Sequence, residues 1–201
     1  MLARLLCLVL APLMLAAETP ARKLETYVLM PEPSALRNAN SRAPAGAQKT
    51  VFSPAAETRE APGVKVFTPE EFSKLGVGLD TFTERAKAAA EARLATVQAE
   101  FIKDESGKTR YAVYRSDSPL VASLIIAPSL AKIYAKLFGG DVWAVLPDRH
   151  SLYLFPANAE LLAEFTDDLE MRYKNGPFAA SGEVFLVKPG EAPRVIAAFT
   201  D

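Results

Sequence analysis

Residues 141–155, Asp141-Val142-Trp143-Ala144-Val145-Leu146-Pro147-Asp148-Arg149-His150-Ser151-Leu152-Tyr153-Leu154-Phe155, decide the fold. Two short runs rich in β-branched and aromatic residues flank a polar turn, which is the pattern of a β-hairpin. Both runs are apolar on both faces, so these strands belong in mid-sheet or under cover on two sides. Within the turn, the Asp148 carboxylate can accept from nearby backbone amides.

Working outward, the same pattern recurs on each side. Gln98–Lys103 and Thr109–Arg115 flank the polar stretch Asp104-Glu105-Ser106-Gly107-Lys108. Glu183–Val187 and Arg194–Phe199 flank Lys188-Pro189-Gly190-Glu191. Helices separate the hairpins. Thr68-Pro69-Glu70-Glu71 reads as a cap, a first-turn proline and two acids at the positive end. A longer helix is expected over about 79–95, with Asp80 as its cap. Its apolar positions Leu79, Phe82, Ala86, Ala90, Leu94 and Val97 step by three or four. Pro128 suits the first turn of a helix that runs to Phe138 and closes at Gly139-Gly140. Asn158 caps a helix with Leu162, Phe165, Leu169 and Tyr173 on one face. The run 118–126 fits either a strand or a buried helix. Together these elements predict an α+β domain over 64–201, an antiparallel sheet of three hairpins with helices packed on one side.

The N-terminus has a different character. Residues 1–17, MLARLLCLVLAPLMLAA, carry Arg4, an apolar stretch and Ala16-Ala17, the layout of a cleaved signal peptide. The stretch falls short of the roughly 20 apolar residues that span a bilayer. The expectation is a protein exported to the periplasm or beyond, with no membrane span left after cleavage. Residues 18–63 hold six prolines among many Ala, Ser, Asn and Thr residues and read as a largely disordered tether. Its one apolar patch, Tyr27-Val28-Leu29-Met30, reads as extended chain that can dock as a short strand.

Composition excludes several functions. The chain holds 23 Lys and Arg against 24 Asp and Glu, so it has no basic footprint for nucleic acid. The only cysteine is Cys7, inside the leader, so the mature chain has no disulfide, no catalytic thiol and no thiolate metal site. With one histidine and no mature cysteine, a zinc site is not expected. The acids Glu164, Asp167, Asp168 and Glu170 read as a solvated helix face. No glycine-rich phosphate loop and no dinucleotide fingerprint occurs, and no cofactor is expected.

The run Leu75-Gly76-Val77, the alanine-rich helix, Val121–Pro128 and Gly140–Arg149 resemble an uncharacterised bacterial protein family, a domain of unknown function. The resemblance covers about residues 65–201 and is most specific at the hairpin, with its proline and arginine at the turn and Leu152-Tyr153-Leu154-Phe155-Pro156 after it. It implies an α+β fold and no established activity. Many members are cytosolic, and an acidic residue often follows the arginine where His150 stands here. The leader and His150 are therefore departures from the family.

Candidate site residues lie in the same turn. Asp148, Arg149 and His150 form a ligand-binding candidate. Arg149 can grip a carboxylate or phosphate with two parallel bonds, or simply pair with Asp148, Asp141 or a helix acid. His150 beside Ser151 suggests a hydrolase. Adjacent strand residues face opposite ways, however, and no G-x-S-x-G elbow is present. Trp143, Tyr153 and Phe155 suit either a ligand platform or sheet core. The sequence favours a non-enzymatic binding domain for a protein or a small molecule, with a small hydrolase or transferase at Asp148-Arg149-His150 as the alternative.

Overall fold

The computed structural model describes residues 27–200. The expected signal peptide and the first part of the expected tether lie outside the described residues. Among the described residues, no helix is long and apolar enough to cross a membrane.

The three hairpins form as read. Strands β4 (Glu100–Lys103) and β5 (Thr109–Arg115), β6 (Val142–Val145) and β7 (Ser151–Pro156), and β8 (Glu183–Val187) and β9 (Arg194–Ala198) make one antiparallel six-stranded sheet. Its order is β4-β5-β7-β6-β8-β9, which puts the doubly apolar hairpin in the middle. Three further strands precede them: β1 (Tyr27–Pro33), β2 (Thr50–Glu57) and β3 (Val64–Val66). These pair antiparallel in the order β1-β2-β3.

Strands β1 and β2 correct the expectation of a disordered tether. Residues 28–32 and 50–55 are buried throughout, so the folded body begins no later than Tyr27. The prolines do not prevent pairing because of where they fall. Even-numbered β1 residues turn their backbone towards β2, as the Ser34 N–H shows by donating to Lys49 O at 2.7 Å. Pro31 and Pro33 are odd, so their missing N–H groups lie on the outer edge of β1, where no ladder needs them. Pro54 directs its carbonyl to Phe67 N at 2.9 Å, past the end of β3, and it too removes no ladder bond.

Helix α1 (Pro69–Ser73) opens at the cap expected of Thr68, which here forms a full capping box. Its Oγ1 accepts from Glu71 N at 3.2 Å, and Glu71 Oε2 accepts from Thr68 N at 3.1 Å. Helix α2 (Leu79–Leu94) starts after Gly78, so Asp80 sits inside the first turn and does not cap. The run 121–126 becomes a fully buried 3-10 turn. Helix α3 (Leu130–Phe138) ends at Gly139 with φ +74°, the left-handed conformation that glycine adopts without strain.

The last expected helix is two helices. Asn158 caps α4 (Ala159–Ala163), and α5 (Thr166–Asn175) begins after a break. Phe165 at the break lies 4.8 Å from the Tyr111 ring and 5.7 Å from the Phe155 ring.

Helices cover both faces of the large sheet rather than one. On one face Tyr114, Val142, Ala144, Leu152, Leu154 and Phe185 pack against α2, the 3-10 turn, α3 and the small sheet. Phe82 of α2 is fully buried there, ringed by Tyr27, Phe67 and Phe72 at 5.0–6.1 Å. On the other face Val113, Val145, Tyr153, Phe155 and Val184 meet Leu162 of α4 and Leu169 of α5, with Trp143 half-buried at the margin. Trp143, Tyr153 and Phe155 therefore belong to a covered face.

Candidate functional site

The β6–β7 turn places Asp148, Arg149 and His150 side by side, yet their side chains go to three separate partners. Asp148 Oδ1 accepts from His150 N at 2.8 Å, the turn bond expected of it. The Arg149 guanidinium turns inward, and its Nη2 donates to Glu32 Oε1 of β1 at 2.7 Å. The His150 ring stays at the surface, with Nδ1 3.1 Å from Ser116 O and the ring 5.5 Å from that of Phe178.

The Arg149 backbone is fixed as well. Its N–H donates to Phe178 O at 2.9 Å, and its carbonyl accepts from Ala122 N at 3.2 Å. Arg149 is thus ion-paired, but to a strand acid 117 residues away rather than to Asp148, Asp141 or a helix acid. The pair is almost dry: the Arg149 and Glu32 side chains are 13% and 4% exposed. Burial pushes the Glu32 carboxyl above the usual glutamate range, while the neighbouring Ser53 hydroxyl and the Arg149 charge pull it back. Glu32 is the residue that sequence reasoning missed. The spacing of Pro31 and Pro33 marks Glu32 as a residue that can join a ladder, but not as the partner of Arg149.

His150 and Asp148 border an open hollow with Arg115, Ser116, Asp117, Ser151 and Arg172. Ser151 Oγ is buried and has no hydrogen-bond partner among the described residues. Among the described residues, no three His, Cys, Asp or Glu side chains converge as a bound metal needs.

A deeper concavity lies elsewhere. A groove of about 470 Å³ runs between the small sheet, α2, the start of α3 and the β8–β9 turn. Its floor is aliphatic, with Leu29, Ile125, Ile126, Ala127, Ala131 and Val187, all buried, beside the Phe52 ring. Arg42, Ala43, Pro44 and Ala45 of the β1–β2 connection form one wall, and Gly190–Pro193 form another.

The first wall is anchored at both ends. Arg42 and Phe52 exchange both backbone bonds, at 2.9 and 2.8 Å, and Val195 N donates to Ala45 O at 2.8 Å. Gly46 (φ +79°) lets the wall close on β9, because a Cβ there would lie 2.5 Å from Val195 O. Six chain segments build this groove, and no local motif marks it in the sequence.

Comparison with known proteins returns no matching family model, no matching curated protein and no matching solved structure.

Proposed function

We propose that this chain is an exported, non-enzymatic binding domain of the bacterial cell envelope, and that it holds a small apolar ligand in the groove beneath residues 42–45. One observation carries this reading: a concavity of about 470 Å³ with a buried aliphatic floor and an anchored wall. Small-molecule sites are typically clefts of about 300–1,000 Å³, mostly apolar, with a few polar groups at fixed places. The leader-like sequence at residues 1–17 supports export.

The rival reading, a hydrolase or transferase at Asp148-Arg149-His150, has less support. Arg149 is spent on Glu32, Asp148 on the turn, and the Ser151 oxygen is buried.

A neutral solvatochromic dye such as Nile red tests the groove. Its emission should rise and shift to the blue with the intact protein. Ala43→Trp, a substitution at an exposed groove-lining position, should abolish that signal while leaving the melting temperature unchanged. Equal dye binding by both proteins would overturn the reading. Export is checked by cell fractionation, with a mature N-terminus near residue 18 as the expected result and a cytosolic full-length chain as the contrary one.

A further inference from the structure

Resting on that reading, we infer that the groove takes a linear alkyl carboxylate, with the chain on the aliphatic floor and the acid head at Arg42. The first argument is the sign of the charge around the groove. Arg42, Lys87 and Lys188 line it, against one acid, Glu191.

The second argument separates the three cations. Lys87 is paired with Glu84 at 2.8 Å and Lys188 with Asp141 at 3.1 Å. Neither of those acids lines the groove. The Arg42 guanidinium has no hydrogen-bond or ion-pair partner among the described residues, although its backbone is clamped to Phe52. A planar guanidinium on a fixed Cα matches the two oxygens of a carboxylate. Each lysine is offset by its own acid, so the preference for an anionic head over a neutral or positive one rests on Arg42.

The third argument concerns the body of the ligand. The floor is built from Leu, Ile, Val and Ala side chains, and Phe52 already stacks on Phe185 at 6.1 Å and 15°. Such a surface rewards apolar area without demanding a ring. Each methylene buried should tighten binding about threefold to fourfold until the chain outgrows the groove.

Calorimetric titration of the full mature chain with octanoate, decanoate, decanol and decyltrimethylammonium, all below their micellar concentrations, tests this. Decanoate should bind one to one, tighter than octanoate and at least about tenfold tighter than decanol, as a charge-assisted hydrogen bond supplies. The ammonium compound should bind more weakly than decanol. Arg42→Gln should erase the preference for decanoate over decanol and leave decanol binding unchanged, while Arg42→Lys should retain part of it. Equal binding of decanoate and decanol, or a preference that survives Arg42→Gln, would overturn the acid-head inference while Nile red binding keeps the groove reading intact. Failure of every compound, Nile red included, would overturn both.

Discussion

Arg149 Nη2 donates to Glu32 Oε1 at 2.7 Å and so joins the tip of the central hairpin to the first described strand. Glu32 lies in the small sheet and Arg149 in the turn between two strands of the large one, and neither side chain is open to water. The pair therefore answers to the rules for buried ions. Truncating one partner is costly because it leaves the other charge stranded, whereas replacing both by apolar groups is close to neutral.

Arg149→Met should cost about 3–5 kcal/mol at neutral pH. Without the guanidinium, the folded-state pKa of Glu32 climbs further above its unfolded value. A carboxyl raised in this way holds its proton longer in the folded state, so stability falls as pH rises through the raised value. The deficit relative to the parent is then largest at neutral pH and shrinks as pH falls towards the ordinary glutamate range. Urea melts across that range check the slope, and a pH-independent deficit would contradict it. The double variant Glu32→Leu, Arg149→Met should recover most of the loss.

Phe82→Ala should cost about 3–5 kcal/mol, since it empties a fully buried site amid three rings. Trp143→Ala should cost less than Phe82→Ala despite deleting a larger ring, because Trp143 is only half-buried. Equal losses in denaturant melts would show that Trp143 is as dry as Phe82.

His150→Ala should cost about 0.5–1 kcal/mol, the worth of one surface hydrogen bond to Ser116 O. A loss several times larger in the same melts would mean that the imidazole supports the turn in a way its ring contact with Phe178 does not account for.

A chain that begins at Val64 should not fold cooperatively. It lacks Leu29, Met30, Val51 and Phe52 from the core and leaves Arg149 and Glu183 without their partners. Thermal scans should show no sharp transition, and hydrophobic dye should bind the exposed sheet. A protease-resistant fragment starting near residue 64 would be the opposite result.

Much of the fold is readable from the chain because hairpins are local. Alternation, turn residues and the closing glycine at 139 lie within a few positions of one another, and all three hairpins follow from them. The first two strands were hidden by proline count. What matters is the parity of Pro31 and Pro33 along the strand, since both drop an outward donor. The 158–175 helix read as one piece because its apolar spacing continues through Phe165. The break follows from tertiary packing, with Phe165 placed against Tyr111 and Phe155. At the candidate site, the sequence showed that Asp148 would serve the turn and that Arg149 would either bind or pair. It could not show Glu32 as the partner, since nothing local links residues 117 apart. The groove was illegible for the same reason.

Glu183 Oε1 accepts from the amides of Gln48 and Lys49 at 2.8 and 3.1 Å, and Thr50 meets Ser181 at 2.6 Å, closing spans of 131 to 135 residues. Links of such high contact order form late and slow the search for the native state. β1, β2 and β3 can pair with one another as soon as they are made, but the bonds from residues 48–50 wait for Ser181 and Glu183. The seam between the small sheet and β8 is therefore a late-closing one, sealed only after the pieces on each side of it have taken shape.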